Sequence, residues 1–161
     1  MKRRTFLQAL IGFPAALSFV PAVEASNKPN QDIAPLNLSP EEWKQRLNDQ
    51  QFYVLREEGT ERAFTSPLND EKRKGEYHCA GCDLLLFTSE MKYDSGTGWP
   101  SFFTVVDGHI ETKTDFKLIY PRTEYHCVRC GGHQGHVFND GPKPTGQRWC
   151  NNGVALRFVP A

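Results

Sequence analysis

Tyr77-His78-Cys79-Ala80-Gly81-Cys82 and Tyr125-His126-Cys127-Val128-Arg129-Cys130 are two copies of one phrase, YHCxxC. Each sets a strand-like approach before two thiols. Two C-x-x-C pairs supply four soft ligands, the set that suits a tetrahedral Zn2+. The knuckles are separated by residues 83–126, longer than a compact zinc ribbon allows. The body of the domain must therefore fold to bring them together. The alternative is a pair of thioredoxin-like redox motifs. Such motifs open a helix in α/β surroundings, whereas the sequence around these is strand-rich. Cys79, Cys82, Cys127 and Cys130 are read as ligands of one zinc, and His78 and His126 as strand side chains.

Outward from the knuckles the pattern stays short and apolar. Residues 84–88, 102–106, 116–120, 124–127, 136–138 and 154–159 read as strands, separated by turn residues. So does Phe52-Tyr53-Val54-Leu55, which is aromatic and β-branched. Short strands at this spacing predict a mainly β, antiparallel single domain. Ahead of them, Ser39-Pro40-Glu41-Glu42 is a helix start: Ser39 caps, Pro40 takes the first helical position, and Glu42 completes a capping box. Trp43 and Leu47, four apart, share a face for the core. This helix is expected to end near Asn48 or Asp49. Glu58-Gly59-Thr60-Glu61 and Asn69-Asp70-Glu71 read as turns, and Lys72-Arg73-Lys74-Gly75 as a solvated basic turn.

The N-terminus reads as an address. Arg3-Arg4 precedes Phe6-Leu7, a mildly apolar stretch at residues 9–20, and Pro21-Ala22-Val23-Glu24-Ala25. A positive start, a short apolar run and a small-residue cleavage site make residues 1–25 a signal peptide, and the arginine pair points to the twin-arginine route and the periplasm. Gly12 and Pro14 break the apolar run, so membrane attachment is expected only through an uncleaved signal. Export of a folded chain lets the cysteines take up zinc first; otherwise disulfides would be the expectation outside the cytoplasm. Residues 26–38 read as a linker and 39–161 as the functional domain. The whole chain has 19 positive and 19 negative residues; without Lys2, Arg3, Arg4 and Glu24 these become 16 and 18, a formal charge of −2. That balance offers no basic face for nucleic acid. The length suits one core and one domain, and a monomer is expected.

The remaining cysteine is the chemical one to consider. Five cysteines less four ligands leave Cys150, within Arg148-Trp149-Cys150-Asn151-Asn152. His133 and His136 lie upstream. A lone thiol with histidines elsewhere is a candidate nucleophile; a buried, inert cysteine is the other reading. If 148–150 is extended, Arg148 lies on the same side as Cys150; otherwise it reads as a surface ion pair. A fall in thiol pKa from about 8.5 to about 6.5 would raise the thiolate fraction at pH 7 from roughly 3% to roughly 75%. Imidazole titrates near neutrality and can serve as a general acid, and one buried structural histidine is the competing reading.

GHVFNDGPKPTGQRWCNN, together with Ser95-Gly96-Thr97-Gly98-Trp99-Pro100-Ser101-Phe102 and the two knuckles, resembles the B-type methionine sulfoxide reductases. The resemblance runs from about residue 39 to residue 158. It implies two antiparallel sheets with short N-terminal helices and one structural zinc per chain. It implies thiol-dependent reduction of the R epimer of methionine sulfoxide in oxidised protein or peptide, with the free amino acid left open as a substrate. Cys150 would be the nucleophile and would end as a sulfenic acid. His133 and His136 would orient and protonate the sulfoxide oxygen, and Asn152 would be a polar group at the site. Trp99 would pack on the substrate methyl group, with Phe138 as a pocket wall; Arg148, read from its place two residues before Cys150, is expected to supply positive charge on the substrate side. Alone, the Gly-Trp-Pro-Ser-Phe segment would read as core. Many members carry a second cysteine where this chain has Thr97. A hydroxyl cannot form a disulfide, so an external thiol, such as a thioredoxin-fold protein, is expected to regenerate Cys150. Members also often have Tyr and Ser where this chain has Trp149 and Gly153. The competing readings are a zinc-stabilised binding module without catalysis and a peroxide-reactive redox sensor.

Overall fold

A computed structural model describes residues 33–161. The expected signal peptide and the first part of the expected linker lie outside the described residues. Residues 33–38 have no regular secondary structure, but they are not free of the body. The Leu36 N–H donates to the Arg129 carbonyl at 2.6 Å, and Leu36 and Leu38 pack against the core.

Helix α1, Pro40–Arg46, begins as its sequence dictates. The Glu42 N–H donates to Ser39 Oγ at 3.3 Å, and Glu42 Oε2 accepts from the Ser39 N–H at 2.7 Å. Trp43 and Leu47 are buried. The helix stops at Arg46 because Asn48 caps a second one, α2, Asp49–Glu57. This corrects the strand expected at Phe52-Tyr53-Val54-Leu55. Asn48 Oδ1 accepts from the Gln51 N–H at 2.9 Å, and Gln51 Oε1 accepts from the Asn48 N–H at 3.2 Å. This second capping box outweighs the strand propensity of four residues. Adjacent Val54 and Leu55 are both buried while Tyr53 is exposed, a helical face rather than an alternation. Arg56 lies over the Trp43 ring at 4.8 Å, joining the two helices.

The remaining elements form two antiparallel sheets. The strands are β1 (Gly75–Cys79), β2 (Leu85–Thr88), β3 (Lys92–Tyr93), β4 (Ser101–Phe102), β5 (Ile110–Asp115), β6 (Arg122–Cys127), β7 (His133–Phe138), β8 (Arg148–Asn151) and β9 (Leu156–Pro160). The smaller sheet runs β2-β1-β9 and the larger β3-β4-β8-β7-β6-β5. The fold is therefore mainly β, with two short helices at its N-terminal side, as expected. Aromatic rings fill the space between the sheets: Phe87 stacks on Phe102 at 3.9 Å, Tyr77 meets Phe102 edge-on at 5.0 Å, and Tyr125 meets Trp149 at 5.1 Å.

Several strand boundaries differ from the sequence reading. Of residues 102–106 only Phe102 lies in a strand, beside Ser101, and residues 116–120 form no strand. They are the tip of the β5–β6 hairpin. The strand lies just before them, where Ile110–Asp115 is polar and largely exposed. An edge strand with solvent on its outer side needs no hydrophobic alternation, so the pattern is silent there. Residues Gly153–Ala155 form a 3-10 turn and β9 starts after it, later than the expected 154. Among the described residues, no helix is long and apolar enough to cross a membrane.

Candidate active site

The larger sheet brings the chemical residues together by register. On β8, Cys150 pairs with Ser101 of β4 on one side and with His136 of β7 on the other. Paired residues in antiparallel strands project to the same face, so thiol and imidazole are neighbours although 13 residues separate them. Gly135, beside His136, permits the approach: a Cβ there would overlap the Cys150 carbonyl oxygen. A cleft of about 100 Å3 opens here, lined by Thr60, Trp99, Arg122, Gly135, His136, Phe138, Cys150, Asn151 and Asn152. That is roughly three waters' share of liquid volume, the scale of a methyl sulfinyl group.

Five of the residues singled out by sequence, Cys150, His136, Asn152, Trp99 and Phe138, line this cleft. His133 and Arg148 do not. His133 is buried in β7 and donates from Nδ1 to Glu124 Oε1 at 2.7 Å. Its ring packs edge-on against that of His136, centroids 5.4 Å apart, and its Nε2 is buried without a partner. Burial pushes the Glu124 carboxyl up, but the bonds from His133 and Lys113 outweigh it and hold the pKa below the usual range. Glu124 Oε2 has no well-aligned hydrogen bond but lies 3.1 Å from Lys113 Nζ. Arg148 makes a two-pronged pair with Asp140, both contacts 2.9 Å, and stacks over Phe138 at 4.3 Å. It thus braces a wall of the cleft from behind.

The electrostatics of the thiol differ from the sequence expectation. The stretch at 148–150 is extended in β8, and Arg148 does act to lower the Cys150 pKa, as does a hydrogen bond from Thr97. Burial of the thiol is the larger influence, and the net direction is upward. His136 moves the other way. Burial lowers its pKa, Arg122 adds to that, and the bond to Asp115 opposes it. His136 Nε2 lies 2.8 Å from Asp115 Oδ2, which Arg122 also contacts at 2.6 Å. The Lys117 N–H donates to the Asp115 carboxyl, which with His136 and Arg122 keeps it ionised.

Three supporting groups escaped the sequence reading. Asp115 is one, and the motif gave no hint of it. Glu61 is the second: its carbonyl accepts from Trp99 Nε1 at 2.9 Å, its N–H donates to Asn152 Oδ1 at 2.8 Å, and its carboxylate accepts from the Gly153 and Val154 N–H groups. One residue from an apparent turn thus holds two residues of the cleft lining, Trp99 and Asn152. The third is a hydroxyl chain. Ser95 Oγ lies 2.8 Å from Thr97 Oγ1 and 2.7 Å from Ser101 Oγ, leading to the thiol. Gly153 sits against Ser66, whose side chain occupies the place a Cβ would take.

Behind the cleft is the cysteine cluster. Cys79 ends β1 and Cys127 ends β6, so each sheet contributes one knuckle. The four Sγ atoms lie within 4.8 Å of one another, all buried. Cys79–Cys130 and Cys82–Cys127 are 3.6 and 3.4 Å apart, near the roughly 3.8 Å expected of thiolates about 2.3 Å from a tetrahedral zinc-sized ion. The four cysteines are positioned to bind a metal ion. Gln134 donates from Nε2 to Cys79 Sγ at 3.4 Å, while its carbonyl accepts from Asn152 Nδ2 at 2.9 Å. Gln134 thus links the cysteine cluster to Asn152 of the cleft wall.

Residues 47–160 match the SelR domain family model. A peptide methionine sulfoxide reductase MsrB of Leptospira interrogans is 50% identical over 124 residues, 76% of this chain and 95% of that protein. One from Pseudomonas putida is 52% identical over 123 residues, 74% of this chain and 91% of that protein. The chloroplastic peptide methionine sulfoxide reductase B1 of Arabidopsis thaliana is 49% identical over 123 residues, 76% of this chain; the chain spans 61% of its length. With a cleft built from Trp99, His136, Cys150 and Asn152 and a domain match over most of its length, the chain belongs to the SelR-domain family, that of the B-type peptide methionine sulfoxide reductases.

Proposed function

We propose that the protein reduces methionine (R)-sulfoxide to methionine, using Cys150 as nucleophile and an external thiol as electron source. The observation that carries this is the pairing of Cys150 with His136 across β8 and β7, inside a cleft walled by Trp99 and Phe138. The apolar walls suit the methyl and methylene groups of the substrate, since sulfur and its carbons pack well on aromatic rings. The Cys150 thiolate attacks the sulfoxide sulfur while imidazolium at His136 protonates the oxygen. The oxygen then ends on Cys150: sulfoxide, thiolate and one proton become methionine and a cysteine sulfenic acid. A first external thiol condenses with that acid, releasing water and leaving a mixed disulfide, and a second displaces it. Net, one sulfoxide and two thiols give methionine, one disulfide and water. Thr97 leaves no internal thiol to take the first step. We read the four-cysteine cluster as holding one structural zinc, which would tie the sheets together and offer no open position to substrate. Arg3-Arg4 and the apolar run after it support export by the twin-arginine route to the periplasm.

The first test supplies purified protein with dithiothreitol and each epimer of methionine sulfoxide. Only the R epimer is expected to disappear, and peroxide is not expected to be consumed catalytically. Loss of both epimers, or of neither, overturns the reading.

The two shifted pKa values set the form of the pH profile. With His136 lowered and Cys150 raised, neutral imidazole and thiol dominate near neutrality. The reactive imidazolium–thiolate pair is a minor tautomer of that state, so the rate is flat between the two pKa values and falls outside them. Asp115 alone raises His136 among its neighbours; Arg122 and His133 lower it. Asp115→Asn is therefore expected to move the acid limb of kcat/KM to lower pH and to depress the plateau, about tenfold for each pH unit moved. A structural role for Asp115 would depress the plateau without moving the limb.

A further inference from the structure

We propose that the tip of the β5–β6 hairpin is a docking arm for the polypeptide that carries the oxidised methionine. This rests on the activity proposed above and names the surface that would select an extended, apolar stretch of protein as substrate.

Six large apolar side chains are exposed among the described residues, and four of them, Phe116, Leu118, Ile119 and Tyr120, lie in this tip. Scattered exposure is ordinary, but a concentrated patch marks an interaction surface. Ile119 is fully exposed and Phe116 is 74% exposed. The fold holds them there. The Asp115 carboxylate accepts from the Lys117 N–H at 2.8 Å, and Lys117 Nζ pairs with Glu58 at 2.7 Å. Glu58 also holds Lys113 on the adjoining strand, at 2.5 Å. The polar side chain of the tip is thus tied back to the body, and the apolar ones are left to solvent.

The tip is continuous with the cleft. Its two roots are Asp115 and Arg122, which contact each other; Asp115 holds His136, and Arg122 lines the cleft itself. An extended chain advances about 3.3 Å per residue, so a few residues on one side of a methionine seated at Cys150 reach the tip. A free amino acid does not. A permanent partner on this face would crowd Arg122 and the mouth of the cleft, so the occupant has to arrive and leave with each turnover. Apolar residues flanking the sulfoxide meet that condition.

The experiment compares wild type with F116S/L118S/I119S/Y120S, with dithiothreitol as reductant and, in a parallel series, a thioredoxin. The substrates are peroxide-oxidised casein, an unfolded chain, and N-acetyl methionine (R)-sulfoxide. The KM for casein is expected to rise about tenfold, from the lost burial of large apolar side chains, while the KM for the blocked amino acid stays within about twofold. Ile119→Ser alone, at a side chain with nothing to pack on, is expected to give part of the same shift with an unchanged Tm. Equal changes for both substrates, or none for casein, overturn the proposal. A defect that appears only when a thioredoxin replaces dithiothreitol also overturns it, and assigns the tip to the reductant. Failure of wild type to reduce either substrate is a different result, and removes the activity reading on which the arm depends.

Discussion

Replacing Cys150 with serine is expected to abolish reduction of methionine (R)-sulfoxide, by at least about a thousandfold in kcat. A hydroxyl is hardly ionised at neutral pH and cannot accept oxygen from the sulfoxide as a thiol does. The fold should not notice. Cys150 is only partly buried, and the exchange changes one atom at the edge of a solvent-facing cleft. The variant is therefore expected to keep its Tm within a few degrees, a shift on the order of 1 kcal/mol or less, and to keep the same metal content as wild type. Activity and metal content measured on the same sample separate catalysis from structure. A serine variant that loses its fold would place Cys150 in the core, and one that keeps its activity would move the nucleophile elsewhere. Dimedone labelling of wild type during turnover should tag Cys150 in the absence of thiol and leave the serine variant unlabelled.

Extraction of the metal proposed for the four-cysteine cluster is the second large effect. The four sulfurs join β1 of one sheet to β6 of the other, and a structural zinc on such ligands contributes on the order of 10 kcal/mol to folding. That is comparable to the whole stability of an ordinary domain, about 5–15 kcal/mol. A strong chelator, or Cys82→Ser, is expected to give a chain that has lost cooperative thermal unfolding, read by circular dichroism. Activity should fall with it, because Gln134 binds the Cys79 sulfur through its side chain and Asn152 through its carbonyl. An apo-protein that melts at the same temperature as the loaded one would rule out a structural metal.

These effects fall on residues that the sequence displays openly, and the reason is physical. Cysteine spacing within a knuckle is local, as are the capping boxes, so Cys79, Cys82 and the start at Ser39 are readable in place. The second capping box at Asn48 and Gln51 was equally local, but four aromatic and branched residues after it suggested a strand. The cap decided, because a period cannot be counted over four residues. Other parts of the site depend on register, which the chain does not spell out. Asp115 reaches His136, and Glu124 reaches His133, only after β5, β6 and β7 have paired. Glu61 is invisible for the same reason: it acts through backbone atoms and a capping carboxylate, on partners about 40 to 90 residues away. The sign of the Cys150 shift also depended on burial, which outweighs the Arg148 charge on which the sequence reading relied.

Thr97 has a consequence for the working life of the protein. In the one-cysteine cycle proposed here, each turnover leaves Cys150 oxidised beside a threonine hydroxyl rather than beside a thiol. A sulfenic acid in that position has two fates. An incoming thiol returns it to service, or a second oxidant converts it to sulfinic acid, which ordinary thiols do not reverse. An internal cysteine would win that race by proximity alone. Without one, the outcome depends on the ratio of thiol to oxidant in the surroundings. The enzyme is then spent fastest under the conditions that create its substrate, and its lifetime is measured in turnovers per unit of available reductant rather than in hours.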